Sequence, residues 1–117
     1  MIILVVDPDP RFRTLVSRRL EIDGHQITDV SDRKSALRAL KNGPWQMLWL
    51  HPSPPDVSWE ELAHEAREQS PDCFITVVSD FAKGPHWPDG SSVDVVLPQP
   101  WKETELREVL AGAAARA

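Results

Sequence analysis

The run Trp45-Gln46-Met47-Leu48-Trp49-Leu50 has almost no polar break. Gly43-Pro44 precedes it, and His51 with Pro52-Ser53-Pro54-Pro55-Asp56 follows. A short apolar run punctuated on both sides reads as a strand covered on both faces. Such strands lie in the middle of parallel sheets, which need helices above and below them. The chain is thereby limited to an α/β architecture. Chemistry in these folds collects at the carboxyl ends of the strands, and the residue at this end is His51.

Four further strands are legible around the central one. Residues 2–6 are apolar and β-branched and end in Asp7-Pro8-Asp9-Pro10, where Asp9 is placed to cap a helix and Pro10 to begin it. Phe12, Leu15, Val16 and Leu20 recur at helical spacing, and Gly24 closes that helix. Ile27 and Val30 mark a second, more polar strand. Ser31 or Asp32 then caps a helix carrying Ala36, Leu37 and Leu40, which Asn42-Gly43-Pro44 stops. After the central strand, Ser58-Trp59-Glu60-Glu61 reads as a capping box. It opens a helix with Leu62, Ala63 and Ala66 inward, ending at Ser70-Pro71. Phe74 to Val78 is a fourth strand with Ser79-Asp80 at its end. Val93 to Leu97 is a fifth, ending in Pro98-Gln99-Pro100. Leu106, Val109, Leu110 and Ala113 share one face of a last helix, which trails off as Ala-rich sequence able to begin a linker.

Strand and helix alternate five times, which predicts a parallel sheet with helices on both faces. Right-handed crossovers with one reversal give a flavodoxin-like (βα)5 three-layer sandwich of strand order 2-1-3-4-5. Residues 1–117 are expected to form a single domain. The stretch from Asp80 to Gly90 is too rich in proline and glycine for a regular helix. The fourth helix is therefore expected to be shortened or replaced by a loop.

Composition excludes several classes. A net charge of −5 over 117 residues offers no basic footprint for nucleic acid. No segment approaches the roughly 20 apolar residues of a membrane span. The first strand has neither a positive leader nor a small-residue cleavage site, so it does not read as a signal peptide. The single cysteine, Cys73, cannot form an internal disulfide, which fits a reducing cytoplasm, and it is expected as a small buried hydrophobe. There are five tryptophans and no tyrosine. Trp49 is expected in the core. Trp45, Trp59, Trp87 and Trp101 lie at loops or element starts, and Trp87 and Trp101 are the foremost candidates for a partner surface. For each one alone, local packing is the simpler account.

The strand ends carry a resemblance. Ile3-Leu4-Val5-Val6-Asp7-Pro8-Asp9-Pro10, the strand ending at His51 with Pro55 four residues on, Val77-Val78-Ser79 and Gln99-Pro100-Trp101 together resemble a receiver domain of bacterial two-component response regulators. The likeness covers nearly the whole chain. It implies a site where an aspartate ending the third strand is phosphorylated. Two adjacent acids after the first strand would hold the Mg²⁺, and a Ser or Thr and a Lys at the fourth and fifth strands would respond. Here Asp7 matches the first acid, but its neighbour is Pro8 and only Asp9 could substitute. The acceptor position is His51 and the lysine position is Gln99. Ser79 alone matches as switch hydroxyl, Trp101 keeps the aromatic that follows, and Trp59 stands where a glycine is common. The same likeness implies a cis Gln99-Pro100 peptide.

Mg²⁺ takes hard oxygen ligands in near-octahedral geometry, and proline and imidazole remove two of the three expected. Without metal and lysine, little neutralises the charge of phosphoryl transfer. Losing acids and lysine together leaves a neutral pocket rather than unpaired like charges. The expectation is a degenerate pocket of Asp7, Asp9, His51, Ser79 and Gln99, in a pseudo-receiver that is no enzyme and needs no cofactor. Its partner is expected to be a signalling protein or a second copy, with neither nucleic acid nor membrane involved.

Alternatives stay open. His51 reads best as a polar strand end hydrogen-bonded to Asp7 or Asp9. The other readings are a transition-metal ligand with those acids, a phosphate acceptor, or half of a pH-sensitive latch with a carboxylate. The runner-up function is an unorthodox phosphotransfer protein using His51, or Asp9 with Asp56. Flavin or nucleotide binding is discouraged, because Asp7-Pro8-Asp9-Pro10 offers negative charge and lacks donors where a phosphate cradle wants free N–H groups. No nucleophile–base pair of the hydrolase kind is visible.

Overall fold

The computed structural model describes residues 1–51, 59–80 and 93–116, and for Trp59, Ser79 and Asp80 the backbone alone. The chain runs β1 (Ile2–Val6), α1 (Pro10–Ile22), β2 (Gln26–Val30), α2 (Arg33–Leu40), β3 (Met47–Leu50), α3 (Trp59–Gln69), β4 (Phe74–Asp80), β5 (Val95–Gln99) and α4 (Glu103–Arg116). The five strands are parallel in the order β2-β1-β3-β4-β5. This is the flavodoxin-like order expected from the alternation. The proline-rich stretch expected to replace a fourth helix, together with Ser58, Pro55 and Asp56, lies outside the described residues.

Alternation along each strand divides the core in two. Leu4, Val6, Leu48, Leu50, Ile75 and Val77 pack with Ala36 and Leu40 of α2 and with Leu62, Ala63 and Ala66 of α3. On the other face, Ile3, Val5, Met47, Trp49, Val78 and Leu97 meet Val16 and Leu20 of α1 and Leu106, Val109, Leu110 and Ala113 of α4. Every side chain of β3 is at least 98% buried. The central strand is thus enclosed from both sides.

Caps set the helix starts. Asp9 is the N-cap of α1 and accepts from the Arg11 N–H, with Pro10 as first helical residue. Asp32, rather than Ser31, caps α2 by accepting from the Ser35 N–H at 2.7 Å. Gly24 ends the turn after α1 at φ +90°, a conformation that favours glycine.

Three details differ from the pattern read along the chain. The central strand begins at Met47, not Trp45. Trp45 is 9% exposed, lies in the α2/α3 core, and its indole N–H donates to the Ala39 carbonyl. It is therefore core and not partner surface, and Ser70 Oγ accepts its backbone N–H. In α1 only Val16 and Leu20 of the four spaced apolar residues are buried. Phe12 and Leu15 are exposed. β5 is shifted two residues along, to Val95–Gln99, and its ladder continues through Pro98. An edge strand tolerates proline, since one of its sides carries no ladder.

Cys73 is buried, and burial pushes its thiol up to about 12. Because the thiolate is the reactive form, iodoacetamide near neutral pH is expected to leave the native protein unlabelled and to modify it on unfolding in urea. Rapid labelling of the native chain would show that the β4 entrance opens easily.

Candidate functional site

The sheet register sets four strand ends side by side. Val6, Leu50, Val77 and Val96 are paired in one row, so Asp7 and His51 leave adjacent strands at the same level. Ser79 lies two residues beyond that row in β4, opposite Pro98, and Gln99 lies three beyond it in β5, opposite Asp80. All occupy one rim of the sheet.

Asp7, Asp9 and His51 are brought into contact. Asp7 is 1% exposed. Its Oδ2 lies 3.0 Å from His51 Nδ1, and its Oδ1 accepts the Asp9 N–H at 2.9 Å. A carboxylate only accepts, so His51 Nδ1 carries the hydrogen of that bond. Both backbones are anchored: His51 N–H donates to the Val6 carbonyl, Asp7 N–H to that of Val30, and Arg13 Nη1 to the Asp7 carbonyl at 3.0 Å. The Asp9 side chain faces the other way, into the first turn of α1. The Arg11 N–H holds its carboxyl below the ordinary value.

Phe12 closes the arrangement. Its ring meets the His51 imidazole edge to face, with centroids 5.9 Å apart at 87°. The sequence pattern alone assigns Phe12 no role at the rim. Its position three residues after the Asp9 cap puts it on the first turn, near the strand ends, but the direction of its ring depends on how α1 packs on the sheet.

Gln99 is half-buried at the end of β5, and its peptide bond to Pro100 is cis. Trp101 follows, half-buried, with its ring 5.3 Å from Trp49 at 78°. This residue packs on the core more than it presents an open face. Trp87 lies outside the described residues.

The donor set does not fit the Mg²⁺ that the receiver resemblance implies. Asp7 is engaged by His51 and by the Asp9 N–H, Asp9 caps a helix, Pro8 has no carboxylate, and His51 presents nitrogen. A hard octahedral cation needs several free oxygens. Among the described residues, no three His, Cys, Asp or Glu side chains are gathered so as to hold a metal ion.

No family model matches the chain. Its structure is similar to that of the response regulator TrrA of Thermotoga maritima in complex with Mg²⁺ and BeF. The TM-score is 0.80 at 25% identity, covering 96% of this chain and 97% of that one. It is similar also to TrrA in complex with the histidine kinase ThkA, at TM-score 0.77 and 26% identity with the same coverage. A CheY-like receiver domain of Methylobacillus flagellatus aligns at TM-score 0.81 and 20% identity over 97% of this chain and 98% of that one. In sequence, the chain is 32% identical over 69 residues to TcrX of Mycobacterium tuberculosis, a probable transcriptional regulatory protein. That match covers 59% of this chain and spans 30% of the relative's length.

The chain has the flavodoxin-like fold that these receiver domains share.

Proposed function

We propose that this domain is a pseudo-receiver: a non-enzymatic signalling module that meets a partner protein without Mg²⁺-dependent aspartyl phosphorylation. The observation that carries the reading is the Asp7–His51 hydrogen bond at 3.0 Å, made by imidazole at the position where the resemblance puts a phosphorylated aspartate. Asp7, Asp9, His51, Ser79 and Gln99 form its degenerate pocket. Little there neutralises the charge of phosphoryl transfer, because Pro8 and Gln99 stand where the resemblance puts a second acid and the lysine.

The partner is a signalling protein, and a sensor kinase is the natural candidate, since TrrA was solved in complex with ThkA. The outward face of α1 supports contact with a protein. Leu15 and Ile22 are 64% and 81% exposed there, with exposed Arg11 and Arg18 among them. Large exposed apolar residues gathered on one element mark interaction surfaces. The net charge of −5 weighs against nucleic acid, and the setting proposed is the cytoplasm. No helix among the described residues is long and apolar enough to cross a membrane.

The test is incubation with acetyl phosphate and Mg²⁺ followed by intact-mass measurement. No phosphoryl adduct is expected on this chain. A triple variant, Pro8→Asp with His51→Asp and Gln99→Lys, restores the implied acids and lysine and is expected to gain one. An acid-labile adduct on the unaltered chain would replace this reading with unorthodox phosphotransfer.

A further inference from the structure

The mismatch between the rim and a divalent cation has a positive side. We propose that His51 is a built-in counter-group for Asp7, so that a strap of side-chain contacts holds the strand ends and α1 together where a cation would otherwise do so. The inference rests on the pseudo-receiver reading.

The contacts form a closed circuit. From the end of β3, His51 Nδ1–H donates to Asp7 Oδ2 at the end of β1. Asp7 Oδ1 accepts the Asp9 N–H at 2.9 Å, and Asp9 caps α1 through the Arg11 N–H at 2.9 Å. One residue later Phe12 returns to the His51 ring. The links join β3 to β1, β1 to the cap of α1, and α1 back to β3, and the acceptor at the centre is nearly inaccessible to solvent. A buried carboxylate must be paired or fully hydrogen-bonded. Here both oxygens are satisfied from within the chain, leaving no demand for a metal ion. The N-terminus of α1, with the apolar face it carries, is therefore held in one place whether or not a divalent cation is present.

Amide NMR and hydrogen exchange on the intact chain test this. Millimolar Mg²⁺ is expected to leave the Asp7, Asp9 and His51 amides unmoved and the thermal midpoint unchanged. His51→Asn, whose amide can still donate to Asp7, is expected to keep slow exchange at Asp9 and Arg11. His51→Asp sets a second carboxylate against the buried one. Exchange at those amides should then rise about tenfold or more, in line with the loss of a charge-assisted hydrogen bond, and Mg²⁺ should reverse the change. Wild-type amide shifts with Mg²⁺ at Asp7 and Asp9 would overturn the proposal. So would a His51→Asp chain that exchanges like wild type without Mg²⁺. Should His51→Asp fail to fold, the Mg²⁺ titration of the wild type and the His51→Asn exchange still decide. Phosphoryl labelling of the wild type by acetyl phosphate would instead remove the pseudo-receiver reading beneath it.

Discussion

Replacing Trp49 with alanine is expected to destabilise the domain by about 3–5 kcal/mol, the usual cost of emptying a large buried aromatic site. Trp49 is 1% exposed in the middle strand, between the ladders to β1 and β4. Its neighbours include Met47, Val16, Leu20 and Leu106, and its ring takes Trp101 edge to face. A cavity there could collapse only by moving α1 or α4, and both are pinned by their own buried stripes. Against the roughly 5–15 kcal/mol that a domain of this size has in total, the loss is a large fraction of its stability. Urea unfolding followed by far-UV circular dichroism measures it. Trp49→Phe should lose much less, since most of the apolar contact remains. A Trp49→Ala midpoint indistinguishable from wild type would mean that the α1/α4 half of the core is not packed as described.

The second large effect is expected at Asp94, just before β5. Asp94 Oδ2 accepts the Ile75 N–H at 2.7 Å and pairs with Arg67 of α3 at 2.8 Å, while Oδ1 pairs with Arg116 of α4 at 2.7 Å. The Arg116 guanidinium also lies over the Phe74 ring, 5.1 Å from its centroid. One carboxylate thus ties helices from both faces of the sheet to the start of the edge strand. Burial alone would raise its pKa. The Ile75 N–H and the Arg116 and Arg67 guanidiniums outweigh that and hold the carboxyl below its ordinary 3.8. A folded-state value below the unfolded one gives stability that is present above about pH 4 and lost as the pH falls through the folded value. Asp94→Ala is expected to lose about 1.5–3 kcal/mol near neutral pH, the range for hydrogen bonds to charged groups. Asp94→Asn, which keeps an acceptor, should lose less. The gap between wild type and Asp94→Asn should then narrow steadily as the pH is lowered through the carboxylate range. A gap independent of pH would show that geometry alone, and not charge, makes this tie.

Much of the architecture is legible in the residues because each signal has one local cause. Pro10 after Asp9 fixes where α1 begins, and the unbroken Met47–Leu50 stretch demands cover on both faces. What was not legible depends on neighbours distant in sequence. Whether Phe12 points in or out turns on how α1 is rotated against the sheet, which spacing alone leaves undetermined between adjacent stripes. Pro98 looks like the end of a strand, and only its place at the sheet edge makes it an ordinary strand residue. Trp45 is drawn inward by a hydroxyl that is 25 residues away in the chain, on Ser70. At the rim, the residue types suggest that His51 and an acid meet. Choosing Asp7 over Asp9 requires the register between β1 and β3. The tie at Asp94 left no trace in the pattern, since a single acid before a strand is commonplace.

The enclosure of β3 bears on how such a chain can change over generations. None of its four side chains reaches solvent, so almost any substitution within it is felt first as damage to the scaffold. Its end is under a narrower constraint: a residue at position 51 has only to answer the buried Asp7 carboxylate, while the layers beneath are set by β3 itself. Inheritance of shape and inheritance of chemistry are therefore divided at a single peptide bond.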